Sequence, residues 1–341
     1  VTAATQVPRL RAAVLGAGSW GTTFAAVLAD AGCDVAIWGR SEQRCDEITR
    51  AHRNETYLPG IELPAAVTAS TDAVAVVAGA DLVAIAIPSQ SARATLEPLR
   101  DAFGPHAVAV SLMKGVELAT DRRMSQVVAE ALGIPADRVA VVSGPNLAKE
   151  IAQHQPTATV VASTSEATAR FVARACASSY FRPYTNDDVV GVELCGAVKN
   201  VIAIAVGISQ GRGLGYNTMA TVITRGLVEI TRLGLALGAD AETFPGLAGL
   251  GDLMATCASP DSRNHTLGVH LGQGMTLDDA IRATGGTAEG VKSSRSVLEL
   301  AAKVGVEMPI TAAVVAVLHE GLPVDQLAPL LLARPHKAEG L

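Results

Sequence analysis

Hydrophobic and polar positions fall into two regimes along this chain. Up to Thr185, short apolar runs alternate with segments of helical spacing. Ala12–Leu15, Asp34–Trp38, Asp81–Ile87, Ala107–Ser111, Val139–Val142, Ala158–Ala162 and Phe181–Thr185 read as strands. Several are apolar throughout, as strands covered by helices on both faces must be. Between them Thr22–Ala31, Asp121–Leu132 and Glu166–Ala177 read as helices, the first closed by Gly32. This alternation predicts an α/β fold built on a doubly wound, mostly parallel sheet. After Asn186-Asp187-Asp188 the strands stop. Glu193–Gln210 is apolar nearly all round, the mark of a buried central helix. Asn217–Gly238, a helix through Gly272 capped by Ser262, Leu277–Ala283, Ser293–Lys303 and Thr311–Glu320 follow. Residues 1–188 are therefore expected to form the sheet domain and 189–341 an all-α C-terminal domain, ending in a loose tail from about Arg334.

The first strand runs into G-x-G-x-x-G, with Gly16, Gly18 and Gly21 at the fixed positions and a helix and second strand behind them. In a βαβ unit the first glycine permits a tight turn, the second admits a pyrophosphate close to the backbone, and the third lets helix and strand pack. The diphosphate sits on the free N–H groups of the helix start. The sheet domain is thus expected to be Rossmann-like and to bind NADP(H) or NAD(H). An NAD-selective site carries an acidic residue about 20 positions beyond the glycines. This chain has Trp38-Gly39-Arg40 there, and Arg40 suits a 2′-phosphate, although Glu42 lies close by and a solvent-exposed arginine is the competing reading.

Composition narrows the function. Of 341 residues, 49% are hydrophobic and 18% charged, which is globular, while only 3% are aromatic, so Ala, Val, Leu and Ile must build the core. The net charge of −6 argues against a nucleic-acid partner. No uninterrupted apolar run approaches 18 residues, so no membrane span is expected, and no signal-peptide pattern precedes the first strand. Five scattered cysteines without C-x-x-C spacing read as reduced cytosolic thiols, and neither they nor the histidines complete a metal site.

Candidate chemistry lies at strand ends and on the apolar helix. Lys114 follows a buried strand and can reach a phosphate or carboxylate, or simply be exposed. Gly144 and Pro145 break the strand ending at Val142, and Asn146 can cap the next helix and leave free N–H groups at the crevice, or simply be a cap. Lys199 is the exception within the apolar helix: Cys195, Gly196, Ile202 and Ala203 on its own face cannot neutralise it. A buried ammonium must find a partner elsewhere or lose its proton, which makes Lys199 an acid/base candidate; a stem crossing apolar surface to water is the alternative. Arg225 and Glu229 are spaced as an i,i+4 pair. The glycine-rich turn Pro245–Asp252 delivers one carboxylate, Asp252, or only a helix cap. Ser262, Arg263 and Asn264 gather free N–H groups, a guanidinium and an amide, a suitable grip for a phosphate dianion or an ordinary helix start.

Together these residues resemble the bacterial type of the NAD(P)-dependent glycerol-3-phosphate dehydrogenase family, from Val14 to about Leu322. The motifs are GAGSWGT at 16–22, IPSQ at 87–90, KGVE at 114–117, SGPNLAKE at 143–150, AVKNVIAIAVGI at 197–208, GYNTMATVITRGLVEI at 215–230, GLAGLGDLMATC at 246–257, SRN at 262–264 and AEGVKS at 288–293. The resemblance implies a cytoplasmic homodimeric enzyme interconverting dihydroxyacetone phosphate and sn-glycerol 3-phosphate for phospholipid synthesis. It implies that Ser19, Trp20, Arg40, Ala148 and Glu289 touch the cofactor, with Lys114 and Arg263 shared between cofactor and substrate. Gly144, Asn146, Asp252, Ser262 and Asn264 then complete the substrate pocket; Lys199 is the proton donor and acceptor, and Asp252 is the carboxylate expected to hold and tune its ammonium. Two departures stand out: Asn146 replaces the family's frequent Ser or Thr, and His265-Thr266-Leu267-Gly268 replaces a run that usually contains Arg or Phe. A β-hydroxyacid dehydrogenase-like reductase of the same two-domain plan, and a non-catalytic NAD(P)-binding regulator, are the alternatives.

Overall fold

The computed structural model describes residues 9–333 except 119, 286 and 287; the tail expected from Arg334 lies outside the described residues. Eight strands form one sheet: β1 (Arg11–Leu15), β2 (Asp34–Trp38), β3 (Val67–Ser70), β4 (Leu82–Ile85), β5 (Val108–Ser111), β6 (Val139–Ser143), β7 (Thr157–Ala162) and β8 (Phe181–Asn186), in the order β3-β2-β1-β4-β5-β6-β7-β8. The pairs β1–β2, β2–β3, β1–β4, β4–β5, β5–β6 and β7–β8 are parallel. Every residue of β4, β5 and β6 is buried, which explains their uninterrupted Val, Ala, Ile and Leu. From β1 the chain builds outward through β2 and β3, then returns to place β4 on the other side of β1. The strand order reverses there, which leaves the carboxyl end of β1 open to a ligand.

The chain divides into two compact units. Of the described residues, the first comprises those up to Met113, Ser125–Val142 and Ala148–Asp187; the second comprises Lys114–Met124, Ser143–Leu147 and those from Asp188 onward. The division is thus not a single cut at 188, because two segments following β5 and β6 pack with the helices. The helix expected from Asp121 begins only at Met124. Asp121 sits in the left-handed region at φ +55°, which cannot start a right-handed helix. An antiparallel bridge from Val116 to Arg123 closes residues 116–123 into a loop instead.

In the second unit the central helix spans Val189–Gly211, capped by Asp188, whose Oδ1 accepts from the Gly191 N–H at 2.8 Å. By length and composition this is the one helix among the described residues apolar enough to cross a membrane, yet 94% of its most apolar window is buried in the protein. Glu193 and Lys199 interrupt its apolar sequence, so a search for an unbroken apolar run misses it.

Gly207 and Gly211 of this helix face Gly268 and Gly272 of the Arg263–Gly272 helix, and a Cβ on any of the four would overlap the opposite backbone. The two helices therefore touch main chain to main chain. Gly268→Val should separate them and lower the unfolding free energy by about 3 kcal/mol, as overpacking a rigid contact does. The urea midpoint measures this; an unchanged midpoint would mean that the backbones do not meet.

Candidate active site

In the first unit the glycine fingerprint can be tested residue by residue. Gly16 has φ +121°, and a Cβ there would lie 2.5 Å from the Ala86 carbonyl oxygen. A Cβ on Gly21 would run into the Gly16 carbonyl. Gly18 differs: its backbone is extended, and a Cβ would meet no protein atom within 4 Å. Packing requires glycine at 16 and 21 but not at 18. The clear space at Gly18 is what a pyrophosphate approaching the backbone needs, so the residues present fit a dinucleotide.

The Ser19–Asp30 helix begins there without a side-chain cap, leaving its first N–H groups available. Trp20 stands in this first turn with its Nε1 buried and without a protein partner, and its ring lies 5.6 Å from that of Phe24. Thr23 Oγ1 donates to the Ala148 carbonyl at 3.1 Å, which ties Ala148 to the fingerprint helix. Arg40 is exposed one residue beyond Gly39, where a Cβ would press to 3.0 Å from Ala17 Cβ of the fingerprint turn.

Asn54, fully buried, donates from Nδ2 to the Ala17 carbonyl at 3.2 Å and to Thr22 Oγ1 at 2.8 Å, fastening the turn from a distant loop. Sequence reading missed it. A polar residue in a Pro/Gly-containing connection carries no local sign of burial.

In the second unit Lys199, Asp252 and Lys114 converge. The Lys199 Nζ donates to Asp252 Oδ1 and, at 2.6 Å, to Thr256 Oγ1. Lys114 Nζ donates to the other carboxylate oxygen, Asp252 Oδ2, at 2.7 Å. Asp252 is 1% exposed and Lys199 5%. Asp252 stands at the first position of the Asp252–Ala258 helix, after a π-helical turn over Leu247–Gly251, and its carboxylate faces the two ammonium groups. Thr256 lies one helical turn further on, and its i+4 spacing from Asp252 is the signal that could have found it. Burial pulls the Lys199 ammonium down to a pKa of about 7; Asp252 opposes this and the Lys114 charge adds to it.

Ser262 caps the Arg263–Gly272 helix, its Oγ accepting from the His265 N–H at 3.3 Å. Asn264 is buried, and its Oδ1 accepts from the Gly290 N–H at 2.9 Å. Its amide oxygen is therefore engaged and its NH₂ is the end able to donate to an anion. Arg263 is exposed. Glu289 opens the Glu289–Lys303 helix; burial raises its pKa, while Arg263, Lys114 and Lys199 oppose the rise. Gly144 has φ +149°, and the Asn146 N–H donates to its carbonyl at 2.7 Å. Both belong to this unit. Glu229 serves another purpose than the Arg225 pair its spacing suggested: its carboxylate accepts from the Ile310 and Thr311 N–H groups at 2.5 and 3.2 Å and so caps the Pro309–His319 helix. Among the described residues no three His, Cys, Asp or Glu side chains converge as metal ligands.

A switch-point glycine fingerprint, with a buried lysine held by one carboxylate on a separate helical unit, is the equipment of a dinucleotide-dependent dehydrogenase, and that is the class to which this chain belongs. Family models for the N-terminus and C-terminus of NAD-dependent glycerol-3-phosphate dehydrogenase match residues 11–169 and 188–329. The glycerol-3-phosphate dehydrogenase [NAD(P)+] of Streptomyces griseus is 57% identical over 330 residues, covering 97% of this chain and 98% of its own. The crystal structure of glycerol-3-phosphate dehydrogenase from Coxiella burnetii superposes with a TM-score of 0.91 at 39% identity, over 96% of this chain and 99% of that one. The Saccharomyces cerevisiae enzyme superposes at 0.82 and 28%, over 95% and 99%. The chain belongs to the NAD-dependent glycerol-3-phosphate dehydrogenase family.

Proposed function

We propose that this chain transfers hydride reversibly between NAD(P)H and dihydroxyacetone phosphate, the ketone taking up one proton to give sn-glycerol 3-phosphate and NAD(P)+. The observation that carries this reading is the buried Asp252 carboxylate holding the ammonium groups of Lys199 and Lys114. Bound NAD(P)H supplies the hydride. Lys199 in its charged form polarises the carbonyl and hands its proton to the oxygen as the carbon is reduced. Asp252 and Thr256 orient that ammonium, and two cations on one carboxylate leave positive charge for an oxygen turning negative. Arg263, Ser262 and Asn264 grip the phosphate, whose remote binding energy orients the ketone. Gly144 and Asn146 complete the substrate contacts. Ser19, Trp20, Arg40, Ala148 and Glu289 hold the cofactor, with Lys114 and Arg263 shared between the two ligands.

In this reading residues 1–188 carry most of the cofactor contacts and 189–341 most of the substrate contacts. The enzyme works in the cytoplasm as a homodimer, and its product supplies the backbone of glycerophospholipids. Five free, buried cysteines agree with a reducing compartment. The absorbance of NAD(P)H followed with dihydroxyacetone phosphate and, separately, with small oxo acids tests the reading. Turnover of the oxo acids alone would favour a hydroxyacid reductase, and nucleotide binding without turnover a regulator.

The acidity of Lys199 sets the pH dependence. Reduction needs the ammonium and the reverse oxidation needs the free amine. The kcat for reduction should therefore fall as pH rises through about 7, and that for oxidation should rise over the same interval. Limbs of the opposite sign would remove Lys199 from the role. Arg40→Ala should raise the KM for NADPH roughly tenfold or more, the worth of a charge-assisted phosphate contact, and leave that for NADH in place. Equal effects on both would exclude a 2′-phosphate contact.

A further inference from the structure

We propose that Arg123 and Glu193 are positioning residues for this reaction: their ion pair holds the loop that directly follows Lys114, keeps Lys114 on Asp252, and so governs proton transfer by Lys199. The inference rests on the reading of Lys199 as the proton carrier. Glu193, Gly196 and Lys199 follow one another at intervals of three along the central helix and so share a face. Each meets a different part of the same assembly. Glu193 Oε2 accepts from Arg123 Nη1 at 2.6 Å, with the carboxylate side chain only 4% exposed. Gly196 offers no side chain where the Lys114 stem runs; a Cβ there would touch Lys114 Cγ at 3.4 Å and Cδ at 3.6 Å. Lys199 shares Asp252 with the Lys114 head.

Lys114 itself lies beyond the last paired residue of β5, Ser111. Its place is set by the closed loop behind it. That loop is joined by the Val116–Arg123 bridge and tied to helices by Arg123–Glu193 and, near its tip, by Asp121–Lys303. The first tie is mostly buried, its guanidinium side chain 20% exposed, and sits one turn from Gly196; the second involves a Lys303 side chain that is 64% exposed, where screening weakens an ion pair.

The groups facing Lys199 are Asp252, Lys114, Thr256, Cys257 and Glu289. Burial raises the Cys257 thiol to about 12, so it stays neutral. Asp252, Thr256 and Glu289 stand on helices, whereas Lys114 is the charged neighbour carried by a loop. Loosening the clasp lets that positive charge retreat. Lys199 then holds its proton more tightly, and the descending limb of the reduction profile moves to higher pH.

The test is kcat against pH for dihydroxyacetone phosphate reduction at saturating NADPH, in wild type, Glu193→Gln, Arg123→Gln, Arg123→Lys, Lys114→Met and Lys199→Met, with folding followed by circular dichroism. Glu193→Gln should move the limb up by roughly one pH unit, in the same direction as Lys114→Met. Arg123→Lys, which keeps the charge, should stay within about half a unit of wild type. Should Glu193→Gln not fold, Arg123→Gln is read in its place with the same expected shift. A loss of rate with the limb unmoved would reduce the pair to a structural tie and overturn the proposal. The Lys199→Met control separates the two failures. Turnover with an intact limb in that variant refutes the proton-carrier reading, while its loss beside an unmoved limb in the clasp variants refutes only the clasp.

Discussion

Replacing Lys199 by alanine lowers kcat for dihydroxyacetone phosphate reduction by roughly 10²–10⁴-fold, the contribution of a positioned general acid. Cofactor binding survives, because the fingerprint residues 16–21 belong to the other compact unit. Both tryptophans, Trp20 and Trp38, also lie in that unit, the first in the fingerprint helix itself, so quenching of their fluorescence reports nucleotide binding without reference to turnover. The substitution is tolerable to the fold for a stated reason. Asp252 keeps the Lys114 ammonium at 2.7 Å and is not left as an unpaired buried charge, the circumstance that makes removing one partner of a buried pair so damaging. Near-normal turnover with normal binding would reject Lys199 as the acid.

Arg263→Ala lowers kcat/KM for the phosphorylated ketone by roughly 10²-fold or more, as losing one partner of a charge-assisted contact does. Part of the loss falls on kcat, since the phosphate grip also orients the ketone. Unphosphorylated dihydroxyacetone, which lacks the gripped group, is used equally poorly by both proteins. The geometry behind this expectation is stiff. Gly268 and Gly272 seat the Arg263 helix directly on the backbone of the Lys199 helix, and Asn264 fastens its first turn to Gly290. An unchanged kcat/KM would take Arg263 out of the phosphate grip.

The glycine fingerprint was legible because its reasons are local. Gly16 needs a positive φ, Gly21 has no room for a Cβ, and Gly18 must leave space, all within one turn. Lys199 was legible as a lone cation on an apolar helix. Its carboxylate, 53 positions away, was expected from the family resemblance and not from spacing, because a contact at that separation depends on how helices pack. The same limit hid Asn54 and the Arg123–Glu193 pair.

Local rules misled where tertiary demands outweighed them. Asp121 looked like a helix start but takes a left-handed turn in the loop that follows Lys114. Glu229 looked like a partner for Arg225, but the start of the Pro309–His319 helix is buried and its N–H groups need an acceptor. The spacing of Gly207, Gly211, Gly268 and Gly272 is plain in the sequence. Its meaning comes only from knowing that these two helices meet.

Redox chemistry here stands or falls with a proton supplied from the core of the helical half. The most direct measurement is a crystal structure of the complex with NADP+ and dihydroxyacetone phosphate. The account predicts the Lys199 nitrogen within about 3.2 Å of the ketone oxygen, still held by Asp252. A complex in which another donor occupies that position, with the Lys199 nitrogen out of hydrogen-bond reach, would contradict it.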